Sequence, residues 1–298
     1  MSQNSELKIR NPVMGSRRVK RRSPNRRIRF GSVLKQIFLI LWLFLCLFPL
    51  YWMFTMSLKD TNEIFGGNSV GLPTQWLWEN YANAWGSGGR VSTYMLNSII
   101  DTFATLIGTS LLGYMSAYGL LRMRWKGQKT VFTYILMGMM IPMHAALYPL
   151  TEILLTLTKT HWALIIPYVA FNIPITILIL SGFITNIPYE MEEAACIDGS
   201  GIYRTAFTII LPMMVPALIT AAIFVFLQVW NELLLASLFT TDSVRTLTVG
   251  IKQMSGQYQT DYGSMGAGLV IATLPTLILY MCMSGQVQKS LVAGAVKG

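Results

Sequence analysis

Glu190, Glu192 and Glu193, followed by Asp198-Gly199, form the chemically most pointed stretch of the sequence. The chemistry they offer is that of an acidic helix end. Three carboxylates just after Pro188 put negative charge where a helix macrodipole favours it, and Pro188 itself suits a first helical turn. Gly199 can take the left-handed backbone of a sharp turn and so ends the helix. Other reactive residue types lack companions. His144 and His161 have no metal-ligand partners at useful spacing and read as interfacial or packed residues. Cys46, Cys196 and Cys282 lie far apart with no CxxC pair, so neither a disulfide framework nor a metal site is expected. A phosphate-binding loop needs a glycine-rich turn followed by Lys and Ser or Thr. The only near spacing, Gly66 to Gly71, runs into Leu72-Pro73, so ATP chemistry is not expected of this chain. No nucleophile stands with a base, and no catalytic residue, cofactor or metal is expected.

The elements that must hold the acidic stretch follow from length. A helix over residues 188–198 would be about 16 Å long at 1.5 Å per residue, too short to cross a bilayer, so it should lie on a surface. A second helix beginning near Gly201 or Ile202 would carry Tyr203 and Phe207 on one side, before Pro212 and Pro216 lead into a membrane span. Taken alone, these residues fit a docking element and an amphipathic interfacial linker equally well.

Around this loop the chain reads as membrane. Of its 298 residues, 53% are hydrophobic and only 12% charged, with a mean hydropathy of +0.49. That is more apolar surface than a soluble domain of this size buries. Six apolar stretches approach the ~20 residues a span requires: 34–56, 96–121, 130–150, 162–184, 209–238 and 265–283. The first is too long, and lacks a small-residue cleavage site, to be a signal peptide. The net charge of +10 is local: residues 1–35 hold eleven Lys and Arg against Glu6, and the remaining basic and acidic residues cancel. A run such as Arg17-Arg18-Val19-Lys20-Arg21-Arg22 before a span reads as an anchor against anionic lipid, not as a nucleic-acid arm.

The basic tail and the loop of Arg122, Arg124, Lys126 and Lys129 fall on one side if spans alternate, and the positive-inside rule makes that side the cytoplasm. Both termini and the loop 186–208 are then cytoplasmic, while 57–95 and 239–264 face outward. The expected organisation is a tail over 1–32 and a six-helix membrane domain over 33–298. Ionisable residues near the membrane are functional candidates by default. Glu232, some 30 Å along the fifth span from Pro212, reads either as part of a path or as an interfacial anchor beside Trp230. Asp101 has a weaker claim. Pro142, Pro149, Pro167, Pro174 and Pro275 read as packed kinks or hinges.

Glu193-Ala194-Ala195-Cys196-Ile197-Asp198-Gly199, followed by Phe207, Ile209 and Leu211-Pro212, closely resembles the EAA loop. This is the signature by which permease subunits of bacterial ATP-binding-cassette importers grip their ATPase. The resemblance extends through Ser57-Leu58-Lys59, Asn80-Tyr81, Asn97-Ser98, Ile141-Pro142, Ile187-Pro188, Trp230-Asn231-Glu232 and the end Ala293-Gly294-Ala295-Val296-Lys297-Gly298. Together these segments are similar to the carbohydrate-uptake branch, and to the smaller permease of the maltose system. The resemblance implies an all-α membrane protein of six transmembrane helices that is not an enzyme. Its ATPase-coupling residues would be Glu193, Ala194, Ala195, Asp198, Gly199, Phe207, Leu211 and Pro212, with Asn231 and Glu232 close to the translocation path. Implied partners are a second, different permease, two ATPase subunits that hydrolyse the ATP, an extracytoplasmic solute-binding protein and membrane lipid. The long basic tail departs from the family pattern. A secondary transporter would show internal repeats and paired intramembrane charges, and an integral membrane enzyme would show clustered His, Asp or Cys; neither pattern is present.

Overall fold

The computed structural model describes residues 30–86, 88–256 and 260–295. The basic tail and the terminal Val296-Lys297-Gly298 lie outside the described residues. Among the described residues thirteen α-helices follow one another: α1 Phe30–Met56, α2 Thr61–Phe65, α3 Glu79–Trp85, α4 Val91–Leu121, α5 Gln128–Met137, α6 Leu147–Leu154 and α7 Trp162–Ile184. Then come α8 Glu190–Ile197, α9 Ile202–Arg204, α10 Leu211–Trp230, α11 Leu234–Phe239, α12 Leu247–Gln253 and α13 Tyr262–Ala295. Residues up to Pro49 form one unit and those from Leu50 onward another. Within the first, every residue from Gly31 to Pro49 is exposed. A helix so apolar on all sides needs hydrocarbon as its solvent.

In the second unit α4, α7 and α10 pack on one another. Residue numbers on α4 and α7 rise together: Asp101 meets His161, Gly113 meets Thr176, and Arg122 meets the carbonyl of Ile184. The two helices are therefore parallel, as a second and a fourth span must be. Their approach is close because Gly113 has no side chain; a Cβ there would lie 2.6 Å from the Thr176 methyl. α10 runs the other way, from Tyr114 and Leu180 at its beginning to Tyr168 and Val249 at its end.

Among the described residues five helices are long and apolar enough to cross a membrane, six if one bent pair counts as a span. The fourth expected span, 162–184, coincides with α7. The third does not form one rod over 130–150. It breaks into Gln128–Met140 and Met143–Leu157, inclined at 88°. Pro142 has no N–H to give and forces the preceding Ile141 into extended backbone, with ψ of 110°. The fifth also differs from the expected 209–238. α9, the stretch after it and α10 join without interruption over Ile202–Trp230, so the expected second helix is the beginning of the span itself. It contains a wider π-helical stretch at residues 205–210, where a following Pro212 cannot donate back to Thr208. It then stops at Trp230, and Asn231 to Leu233 turn the chain into α11.

Candidate functional site

The acidic stretch forms a helix, α8, two residues shorter at its start than the sequence suggests and one shorter at its end. Its end follows the expected plan: the Asp198 N–H bonds the Ala194 carbonyl at 3.0 Å, Gly199 N–H bonds Cys196 at 3.0 Å, and Ser200 N–H bonds Ala195 at 2.8 Å. Gly199 has φ of +76°, the left-handed conformation that favours glycine. Gly201 then returns to φ of −72° and leads into α9.

The site residues divide into two sets. Glu193, Ala194, Asp198 and Gly199 are exposed, as are Glu190 and Pro212. Ala195 is buried, and Phe207 and Leu211 pack against the cluster of Tyr114, Tyr118, Ile184 and Ile210. Phe207 meets the Tyr114 ring edge-on at 5.9 Å, and the Tyr114 hydroxyl donates to the Ala206 carbonyl inside the π-helical stretch. The second set thus seats the loop on α4, while the first faces away. Around the acids the outward face is apolar: Ile197 is 87% exposed and Tyr203 77%.

Glu192 does not share that face. The Arg122 Nε donates to Glu192 Oε1 at 3.1 Å. The rest of the guanidinium donates to the carbonyls of Ile184 at 3.3 Å, Ile187 at 2.8 Å and Pro188 at 3.3 Å. Its flat face lies 3.9 Å from the centre of the Tyr189 ring. Only a planar fork serves so many acceptors at once. Arg122 thus ties the start of α8 to the ends of α4 and α7, a contact the sequence does not announce.

At the opposite end, Glu232 is buried and fully engaged. Its Oε2 accepts from the Tyr168 hydroxyl at 2.7 Å and from Ala236 N–H at 2.9 Å, and its Oε1 accepts from Leu235 N–H at 2.8 Å. The carboxylate therefore caps α11 and binds it to α7. Asn231 is exposed and its amide donates to the Leu227 carbonyl at 2.8 Å. Both residues line a cleft of about 460 Å³ together with His144, Gln228 and the Pro142 bend. Trp230 donates to the Ala272 carbonyl at 3.1 Å and stacks on Phe226.

Three further segments of the resemblance are joined through backbone groups to distant parts of the chain. The Asn80 amide bonds the carbonyls of Ser57 and Lys59, each at 3.0 Å, and Tyr81 meets the Ser57 hydroxyl at 2.8 Å. Asn97 holds the carbonyls of Ser243 and Arg245 at 3.2 and 2.9 Å, and Ser98 accepts from Leu247 N–H at 2.8 Å. His161, expected to be an interfacial or packed residue, pairs with Asp101 at 2.8 Å. Among the described residues no group of three His, Cys, Asp or Glu could hold a metal ion.

Residues 109–291 match the model of the family described as "binding-protein-dependent transport system inner membrane component". The chain belongs to that family. It is 37% identical to the probable ABC transporter permease protein YurM of Bacillus subtilis, with 92% of each chain covered. It is 35% identical to the diacetylchitobiose uptake system permease protein NgcG of Streptomyces coelicolor, over 90% of each. It is 34% identical to the trehalose/maltose transport system permease protein MalG of Thermococcus litoralis, over 90% of this chain and 99% of that one. Its fold is that of a chain in the crystal structure of a bacterial ABC transporter involved in the import of alginate. The TM-score is 0.75 at 19% identity, covering 88% of this chain and 98% of the other. The protein is accordingly an ABC transporter permease, a multi-pass component of the inner membrane whose work is transport and not catalysis.

Proposed function

We propose that this permease moves a sugar or oligosaccharide across the cytoplasmic membrane and is driven by a separate ATPase that docks on the loop 186–208. The observation that carries this reading is the form of α8. It is a short helix with exposed Glu190, Glu193, Ala194 and Ile197 on its free side, held to the bundle by the Arg122–Glu192 pair on the other. A mere linker has no need of a buried arginine with four hydrogen-bonded acceptors. Glu193, Ala194, Asp198, Gly199 and Pro212 are the residues that face the ATPase; Ala195, Phe207 and Leu211 set the pose of the loop. A carbohydrate cargo is supported by the similarity to NgcG, of a diacetylchitobiose uptake system, and to MalG, of a trehalose/maltose transport system, and by the sequence segments that resemble the carbohydrate-uptake branch.

In this reading both termini are cytoplasmic, and the chain pairs with a second, different permease. Two ATPase subunits bind and hydrolyse the ATP, so this chain holds no nucleotide. An extracytoplasmic solute-binding protein delivers the cargo to the surface formed by 57–95 and 239–264. Asn231 and Glu232 border the path, Asn231 through its amide and Glu232 by fixing the turn after α10. Lipid surrounds the apolar helices and meets the basic tail, and nucleic acid has no part. The test is purification of the tagged chain from its native membrane. ATPase subunits and a second permease should accompany it, and the purified assembly should drive uptake of a saccharide into proteoliposomes. Recovery of a transporting assembly that contains no ATPase would overturn the reading.

A further inference from the structure

From Asn68 to Leu72 the chain is irregular, and its carbonyl groups have unusual partners. Asn68 O accepts from Lys59 Nζ at 2.6 Å, and Ser69 O accepts from the Trp52 indole N–H at 2.8 Å. Val70 O accepts from the Tyr51 hydroxyl at 3.3 Å, and Leu72 O from the Asn68 side-chain amide at 2.9 Å. Four of five consecutive carbonyls are thus served by side chains. A loop in water can leave such groups to the solvent, whereas a loop at membrane depth must satisfy them from the protein.

Two of the donors fix that depth. Tyr51 and Trp52 belong to the last turns of α1, which ends at Met56, so residues 69 and 70 fold back about 7 Å from the end of the helix at 1.5 Å per residue. No charged residue separates Lys35 from Lys59, so an apolar run long enough to span reaches past Tyr51 and Trp52. Those two aromatics then stand at the level of an interfacial belt. Lys59, the first charge beyond it, is fully buried under the loop. The stretch 66–78 carries no charge at all. Its Val70, Leu72, Trp76 and Trp78 are nonetheless 46–61% exposed.

We propose that segment 66–78 is a foot set into the lipid interface at the end of α1, with Val70, Leu72, Trp76 and Trp78 facing the acyl–headgroup boundary. This rests on α1 being a span of the permease. It narrows the surface left for a solute-binding protein to the remainder of 57–95 and to 239–264.

The experiment uses the full chain with its three cysteines replaced and an environment-sensitive fluorophore on a single new cysteine at Leu72 or, separately, at Val70. Each protein is reconstituted in phosphatidylcholine vesicles carrying a nitroxide near the headgroup or deep in the acyl chain. A label at Phe44, midway along α1, verifies insertion through quenching by the deep nitroxide. A label at the exposed Asp242 is the water-facing reference. The Leu72 and Val70 probes should emit at shorter wavelength than the Asp242 probe and resist iodide. They should lose more than half of their emission to the shallow nitroxide and less to the deep one. Quenching by iodide with no response to nitroxide lipids would overturn the proposal, and so would indifference to both quenchers, which marks a protein-covered surface. Failure of the Phe44 probe to respond to the deep nitroxide would instead remove α1 as a span, and the foot with it.

Discussion

Arg122 and Glu192, separated by 70 residues in the chain, meet through a 3.1 Å contact in which the arginine side chain is 1% exposed. One end of α4 is thereby fastened to a helix that continues from α7 and leads to α10. Replacing Arg122 by Ala would leave Glu192 without its cationic partner and remove the side-chain donor from three backbone carbonyls at once, of which Ile184 and Pro188 keep a backbone N–H. Loss of one partner from a buried pair costs on the order of 3–5 kcal/mol, and Glu192, at 17% exposure, places the effect at the lower end. The purified Arg122→Ala protein should melt at a clearly lower temperature and be cut more readily by protease within 186–200. Arg122→Lys should fall between, because an ammonium cannot fork to several acceptors. An unchanged melting temperature in Arg122→Ala would mean the contact does not hold α8.

Gly199 and Gly201 offer a controlled comparison. A Cβ at either position meets nothing within 4 Å, yet only Gly199 has a positive φ. Any difference between Gly199→Val and Gly201→Val therefore reads backbone strain, about 1–2 kcal/mol per left-handed residue. Recovery of ATPase with the tagged permease should drop sharply in Gly199→Val and stay near wild type in Gly201→Val. Equal recovery from both proteins would show that the turn does not set the pose of α8.

Glu232 and Tyr168 form a second pair suited to a double-mutant cycle, since their contact is short and buried. Glu232→Gln keeps one acceptor oxygen and loses the charge that caps α11. Tyr168→Phe removes the donor alone. Thermal melts of the two single variants and the double should show coupling of roughly 0.5–3 kcal/mol. Strict additivity would mean that the two side chains act separately.

The orientation is testable in intact cells. A cysteine replacing Gly127, beside Arg124, Lys126 and Lys129, should resist a membrane-impermeant maleimide, and one replacing Asp242 should react. Labelling of the Gly127 cysteine without permeabilisation would reverse the assignment of sides.

What the sequence discloses and what it hides differ for physical reasons. α7 and α8 are legible because their ends carry local signals: Trp162 and Ile184 bound a largely apolar run without a charge, and Pro188 and Gly199 bracket the acidic turn. The break at Ile141-Pro142 shows only as a proline, which is compatible with a mild kink or with the observed 88° bend. The stop at Trp230 is masked because Leu233 to Leu238 continue the apolar run; just beyond it Glu232 caps α11 and meets Tyr168, a partner no periodicity reveals. Asn80, Asn97 and Ser98 resemble family positions without showing a task. The fold supplies it, since each grips backbone of a distant segment.

The central claim, that α8 is the face presented to an ATPase, is met most directly at Ile197, an isoleucine 87% exposed at the tip of that helix. A photo-reactive amino acid placed there in the full chain, in its native membrane, should form an adduct with the ATPase subunit on illumination. The same probe at Tyr148, which is 78% exposed on α6 far from the loop, should form none. Adducts at Tyr148 but not at Ile197, or ATPase recovered in full with no adduct at Ile197, would contradict the account.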